Sequence, residues 1–179
     1  MLYYILKIFN SKQLQKTVIV FSKKEFNMGK YDSSSDTMSH IIRVTSILMI
    51  FVEKLIARSN THDRSKLQSP EKEDFDIYTP KLKETTYNSE EYKQNLQELK
   101  KTLEHHYARN RHHPEHHKNG INDMTLVDLI ELLADWKASS ERHHNGNILI
   151  SIDENQRRFG IDHQLTKILI NTVKELDLL

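Results

Sequence analysis

The sequence predicts an all-α fold, a single-domain bundle of about six helices. Only 4 glycines and 3 prolines occur in 179 residues, which is few for the turns of a β-rich protein. In several segments apolar residues recur with the spacing of one helix face, and no segment alternates convincingly as a strand does. At 37% apolar and 28% charged residues, the composition is that of a globular protein with a core.

The first 30 residues are an N-terminal extension, and the predicted helical domain covers residues 31–179. Apolar runs in the extension are short and interrupted, which is typical of neither a signal peptide nor a membrane span. Lys24-Glu25 can be encoded by AAG-GAG, which resembles a bacterial ribosome-binding site shortly before the codon of Met28. One hypothesis is that residues 1–27 are not natively translated, and the other is that they belong to the protein.

The first helix is predicted over residues 37–58, with Ser35 or Asp36 as its N-cap. His40 precedes Val44 by four residues and therefore extends the apolar face of this helix. Taken alone, His40 is interpreted either as a core histidine or as a metal ligand. The rest of the face that we expect to be buried comprises Val44, Ile47, Leu48, Phe51 and Leu55.

The doublet His62-Asp63 follows this helix, and we expect it at the start of a short helix. Imidazole and carboxylate suit divalent ions such as Mn, Fe, Co, Ni and Zn, and carboxylates also bind Mg. Lys66 lies about one helical turn beyond Asp63 and can face whatever such an ion holds. Another short helix, capped near Ser69-Pro70-Glu71, is interpreted as surface packing.

A helix predicted from Asn88 or Ser89 to about Asn110 carries one continuous apolar stripe. His106 occupies a core position on this stripe, where an unpaired polar group costs about 1–3 kcal/mol, so it needs a partner. His105 lies on the flank. The stripe comprises Tyr92, Leu96, Leu99, Leu103, His106 and Asn110.

The next loop is rich in histidine and contains Pro114, which ends the helix. Such a loop is a structural metal site, a substrate-lining loop or a solvated polar loop. His112 and His113 are the better candidates for lining a pocket, and we expect His116 and His117 to be solvated.

The helix predicted from Thr125 to Arg142 is apolar on nearly every side, which indicates a central buried helix. Asp135 lies inside this run, and a buried ionised carboxylate needs a cation or hydrogen-bond donors. Asp135 is therefore a candidate metal ligand, with a structural hydrogen bond as the alternative. Beyond it, a helix with a capping box from Ser151 to Glu154 is predicted to end at Gly160, and a last helix is predicted to begin at Asp162. Both are predicted to be packing elements.

Composition and charge exclude several function classes. The chain has no cysteine, so disulfides, thiolate zinc sites and cysteine nucleophiles are excluded. The formal net charge is +1, so no overall field favours nucleic acid or a membrane surface. No segment reaches the roughly 20 apolar residues of a transmembrane helix. We therefore expect no membrane partner and rank nucleic-acid binding below a small-molecule partner. The absence of cysteine is compatible with the cytoplasm, where we expect the protein.

The order His40, His62-Asp63, His105-His106, Asp135 resembles the HD superfamily of metal-dependent phosphohydrolases. In that superfamily a helical bundle gathers a histidine, the His-Asp doublet and a distal aspartate around a metal. Lys66 matches the lysine that often follows the doublet. The resemblance implies an enzyme of the HD type with a divalent metal ion as its cofactor.

Two segments are similar to the branch of that superfamily that cleaves cyclic dinucleotides. His105-His106 precedes Pro114 as in that branch, and the segment from Asp135 to Arg142 matches its aspartate-to-arginine helix. The Gly-Tyr-Pro triplet of the branch is replaced by His112-His113-Pro114, so a cyclic dinucleotide substrate is not implied. The same segments resemble an uncharacterised family of small HD-like proteins from bacteria and phages.

The resemblance implies a hydrolase that cleaves a nucleotide or another small phosphate ester with a metal-activated water. Asp63 would bridge metals or accept the proton of the water, and Lys66 and Arg142 would neutralise charge on the phosphate. The implied metal ligands are His40, His62, Asp63 and Asp135 for one ion and His105 or His106, with His112 or His113, for a second. Two alternatives stay open: a non-catalytic module that sequesters a nucleotide, and a helical protein whose histidine loop binds structural zinc.

Overall fold

The computed structural model describes residues 31–86, 89–142 and 146–179, and every regular element within them is helical. The all-α prediction is therefore confirmed. The predictions about the N-terminal extension, residues 1–30, lie outside the described residues. None of the described helices is both long and apolar enough to cross a bilayer.

Seven α-helices and three short 3₁₀ helices make up the described part of the chain. The α-helices are α1 (Ser34–Thr61), α2 (Glu71–Glu84), α3 (Glu90–Glu98), α4 (Lys100–Arg109), α5 (Leu126–Ser140), α6 (Ile148–Phe159) and α7 (His163–Glu175). The 3₁₀ helices are Arg64–Leu67, Pro114–His116 and Gly120–Asp123.

The helix predicted up to Asn110 is divided into α3 and α4 at Leu99. Leu99 is fully buried and keeps a near-helical backbone, with φ −76° and ψ −3°. Because the backbone direction hardly changes there, the predicted stripe survives the division, and His106 and Asn110 are both buried.

The chain divides into two compact units, residues 1–43 and residues 44–179. The second unit has its apolar core where α6 packs against both α5 and α7. Each large apolar side chain buried there contributes about 1.5–3 kcal/mol. The core comprises Leu132, Leu133, Trp136, Ile148, Ile152, Ile161, Leu169 and Val173.

The buried face predicted for α1 is wrong in the part of the chain that the structure describes. No residue of α1 is buried, and even Ile47 and Phe51 are 39% exposed. Apolar spacing determines which residues share a face of a helix, but burial also requires another element to cover that face. The prediction for α5 is partly right, because Leu132 and Trp136 are buried while Leu126 is 66% exposed.

A buried ion-pair network fixes the end of α1 against the start of α5. Arg58 donates to Asp128 at 2.6 Å, and Arg111, from the loop after α4, donates to the same carboxylate at 2.8 Å. Thr125 caps α5 in a reciprocal capping box with Asp128. The network therefore holds three chain segments together at one place, and through Glu131 it adjoins a cluster of histidines and carboxylates.

Candidate metal centre

The His-Asp doublet lies at a sharp reversal of the chain between α1 and the first 3₁₀ helix. Asp63 has φ 53° and ψ 15°, a left-handed conformation that costs a non-glycine residue about 1–3 kcal/mol and that aspartate tolerates better than most. His62 Nε2 lies 3.7 Å from Asp63 Oδ2. The strained turn thus directs two adjacent side chains into one region.

One carboxylate and three histidines converge on a first group. One ligand atom from each of Asp63, His106, His112 and His113 lies within 4.8 Å of the others. Asp63 Oδ1 is 3.3 Å from His106 Nε2 and 3.6 Å from His112 Nε2. His106 Nε2 and His113 Nε2 are 3.0 Å apart, so either a proton or a cation must lie between these two nitrogens. Three imidazoles and one carboxylate are a ligand set that divalent transition metals favour.

A second group shares Asp63 with the first. His62, Asp63 and Asp135 also bring one ligand atom each within 4.8 Å, and His62 Nε2 lies 3.7 Å from Asp135 Oδ1. Asp63 presents Oδ1 to the histidines of the first group and Oδ2 to His62. The carboxylate of Asp63 is therefore placed to bridge two ions.

Glu131 orients one histidine from each group. His62 Nδ1 lies 3.0 Å and His112 Nδ1 lies 3.3 Å from Glu131 Oε1, while Arg58 donates to Oε2 at 2.8 Å. Since an ionised carboxylate only accepts, both Nδ1 atoms donate, which leaves both Nε2 lone pairs available for a metal. His62, His112 and Glu131 form a third group of potential ligands, which we interpret as this supporting contact.

Glu71 orients His106 in the same way, through a hydrogen bond to its Nδ1 atom. The side chain of Glu71 is fully buried, and His106 Nδ1 donates to Oε2 at 2.9 Å. His105 Nδ1 donates to Oε1 at 2.8 Å, and the Ser65 hydroxyl donates to Oε2 at 2.8 Å. Burial would raise the pKa of Glu71, but hydrogen bonds from His106, Ser65 and His105 lower it, so the carboxylate stays ionised.

Two buried atoms at the centre have no hydrogen-bond partner among the described residues. They are Asp63 Oδ1 and His112 Nε2, which lie 3.6 Å apart. A buried unsatisfied polar atom costs about 1–3 kcal/mol and is rare in native proteins. Both are potential metal ligands, and a divalent ion between them would satisfy both. The residues therefore fit a metal ion.

The pKa values of two histidines at the centre are shifted in opposite directions, while the carboxylate of Asp63 is kept ionised. Burial, together with His112 and His106, lowers the pKa of His113 to about 3, so its ring is neutral, as a metal ligand must be. Hydrogen bonds to Asp135 and Glu131 raise the pKa of His62 to about 10. A metal ion bound to His62 must displace this proton. Asp63 is kept ionised, because His106 and Lys66 outweigh its burial and lower its pKa.

Four of the residues selected from the sequence meet at this centre. His62 and Asp63 come from the turn after α1, His106 comes from α4, and Asp135 comes from α5. His112 and His113, expected to line a pocket, lie among the potential ligands themselves.

Two of the selected metal ligands, His40 and His105, are outside these groups, whereas Lys66 contacts the centre. His40, on α1, is exposed, and it is in none of the three groups. His105 is in none of them either, and it donates to Glu71 behind His106. Lys66 donates to Asp63 Oδ2 at 2.7 Å, which brings its ammonium group to the centre as expected.

Sequence reasoning missed the two glutamates that orient the histidines. Glu71 stands in the first turn of α2 and Glu131 stands one turn before Asp135, positions where glutamate is ordinarily solvated. Glu131 could have been found from its spacing, because it precedes Asp135 by four residues and therefore shares one face of α5 with it. We find no comparable sequence signal for Glu71.

A cavity of about 740 Å³ adjoins the centre at Lys66, which lines the cavity and contacts Asp63. Arg142, in the turn after α5, lines this cavity and forms no ion pair with the potential metal ligands among the described residues. Phe75 also lines the cavity, and its ring centroid lies 5.9 Å from that of His106.

A family model matches residues 29–175, which is most of the chain. The matched family is described as a family of unknown function, DUF5662. No curated protein and no solved structure matches the chain. The chain that carries this cluster of histidines and carboxylates therefore belongs to the DUF5662 family.

Proposed function

We propose that this protein is a metal-dependent phosphohydrolase that acts on a nucleotide or another small phosphate ester in the cytoplasm. The observation that carries the proposal is the pair of buried, unsatisfied ligand atoms, Asp63 Oδ1 and His112 Nε2. Their position inside a cluster of further imidazoles and carboxylates supports a divalent ion rather than a water molecule, because every surrounding group is a good metal ligand.

Asp63 belongs to two groups of potential ligands, so two adjacent ions would fit around its carboxylate. His106, His112 and His113 would hold one, and His62 with Asp135 would hold the other. The ions would supply a water of lowered pKa and would polarise a phosphoryl oxygen. Glu71 and Glu131 keep the Nε2 atoms aimed at the centre, and Asp63 and Asp135, both ionised, are available to accept a proton from the water.

Lys66 supplies the positive charge that a phosphate needs beside such a centre. Its Nζ atom lies 2.7 Å from Asp63 Oδ2 and 5.1 Å from the ring centroid of Phe75, at the boundary between the centre and the cavity. An ammonium group at this boundary can stabilise negative charge that develops on the phosphoryl oxygens. Arg142, farther along the cavity, is placed for a more distant group of the substrate.

Phosphate release from a panel of substrates tests the proposal. The protein loaded with Mn²⁺ is incubated with nucleoside mono-, di- and triphosphates and cyclic nucleotides, and an EDTA-treated sample is the control. We expect metal-dependent release of phosphate or opening of a ring. Tight binding without either product would assign the non-catalytic nucleotide-binding module instead, and the absence of both binding and turnover would contradict the proposal.

A further inference from the structure

The cavity next to the metal centre is built from the same helix faces as the centre itself. On α2, Phe75 follows Glu71 by one turn, and Thr79 follows Phe75 by another. On α5, Ser139 follows Asp135 by one turn. Both helices therefore contribute one residue to the centre and, one turn later, a residue to the cavity wall.

The lining of this cavity carries an excess of positive charge. Lys66, Lys83 and Arg142 line it together with one acid, Asp76. Asp76 is paired with Lys72 at 2.6 Å, so its charge is already balanced. Neither Lys83 nor Arg142 forms an ion pair with any residue that the structure describes. Two cations without a partner acid in a concave site attract an anion.

Apolar and aromatic surface lines the same cavity as these two cations. Phe75, Pro80, Leu82 and Tyr92 all line the cavity. Such a wall favours a planar ring, because ring faces bury apolar area and pack against aromatic side chains. Arg142 follows Asp135 by seven residues, which corresponds to about 10 Å along a helix axis.

We infer that this cavity binds the part of the substrate that is not cleaved, and that it selects phosphate esters whose leaving group carries a ring and a second anionic group. The phosphoryl group lies at Lys66 and the metal ligands, the ring packs beside Phe75, and the second anion is bound by Lys83 and Arg142. This inference rests on the proposed function, since it assigns the substrate of the same centre.

Two matched phosphonates, which cannot be hydrolysed at phosphorus, test the inference. Biphenyl-4-phosphonate has the phosphonate and the rings, and 4′-carboxybiphenyl-4-phosphonate adds a carboxylate on the far ring. Titration calorimetry of the Mn²⁺-loaded protein is expected to show about tenfold tighter binding of the carboxylated ligand, as one charge-assisted contact provides. Lys83→Ala and Arg142→Ala should each reduce this preference.

Lys81→Ala is the matched control, because Lys81 lies on α2 two residues before Lys83, contacts Tyr78 and does not line the cavity. It should retain the preference. Equal affinity for the two ligands, or a preference that survives both Lys83→Ala and Arg142→Ala, would overturn the inference while metal-dependent phosphonate binding still supported the proposed function. If the metal-loaded protein bound neither ligand, both proposals would be contradicted.

Discussion

Asp63 Oδ1 lies 3.6 Å from His112 Nε2, and neither buried atom has a hydrogen-bond partner among the described residues. Two buried ligand atoms that approach each other without a hydrogen bond are difficult to explain in a purely structural cluster. A divalent cation between them explains both, and it also explains why Glu71 and Glu131 take the opposite nitrogens of the histidines.

His112→Ala should lower metal affinity by at least tenfold, because it removes a buried ligand of the first group. His116→Ala is the control from the same loop, since His116 is exposed and its ring is hydrogen-bonded only to the backbone oxygen of Tyr107 among the described residues. Isothermal titration with Mn²⁺ or Zn²⁺ measures both. Equal losses in the two variants would favour a structural zinc site in the loop.

Glu131→Gln should weaken metal binding about 10–100-fold although Glu131 is not a proposed ligand of either ion. The glutamine retains the size of the side chain but removes the charge that fixes His62 and His112 through their Nδ1 atoms. Glu115→Gln is the control, because it removes an ion pair with Arg158 away from the centre. If the metal affinity of Glu131→Gln equalled that of the wild type, the ligands would be oriented without this carboxylate.

Lys66→Gln should lower kcat by about 10²-fold while metal content stays near that of the wild type. The reason is that Lys66 neutralises phosphate charge and contacts Asp63 without being a ligand. Lys93→Gln, which removes an exposed ion pair with Glu90 on α3 and does not line the cavity, is the control and should retain kcat. Loss of metal from Lys66→Gln would instead assign Lys66 a role in holding Asp63.

Asp128→Asn should destabilise the metal-free protein by about 2–3 kcal/mol, because it leaves Arg58 and Arg111 without their buried partner. Burial would raise the pKa of Asp128, but hydrogen bonds from Arg111, Thr125 and Arg58 lower it below the ordinary 3.8. The unfolded chain therefore binds this proton first as pH falls, and stability is lost below the ordinary pKa. Urea denaturation from pH 6 to pH 3 should show a smaller acid-induced loss in Asp128→Asn than in the wild type. The same loss in both proteins would contradict this assignment.

Several residues of the centre could be selected from the sequence, because a polar residue at an apolar position of a single helix needs a partner. His106 stood at a core position of an apolar stripe, and Asp135 stood inside an apolar run, so both required a partner. Both are brought together with the doublet. The ends of the last helices were also predicted correctly, since Gly160 adopts φ 62° and Asp162 caps α7.

The remaining features depend on tertiary contacts that no local pattern specifies. His40 shared a face with apolar residues, but no residue of α1 is buried, and His40 is in none of the groups of potential ligands. The capping box predicted at Ser151 is wrong, because Asn147 caps the helix one turn earlier and α6 already includes Ser151. Glu71 looked like a solvated residue of a first turn and is fully buried by the histidines it contacts.

The central claim is that Asp63 and Asp135, from distant parts of the chain, hold the same metal centre. Metal content of the wild type, Asp63→Ala and Asp135→Ala tests it, with His40→Ala as the control because His40 is exposed and outside the groups. After equilibration with Mn²⁺ and desalting, elemental analysis should find metal in the wild type and His40→Ala, and substantially less in both aspartate variants. Equal metal content in all four proteins would contradict the account.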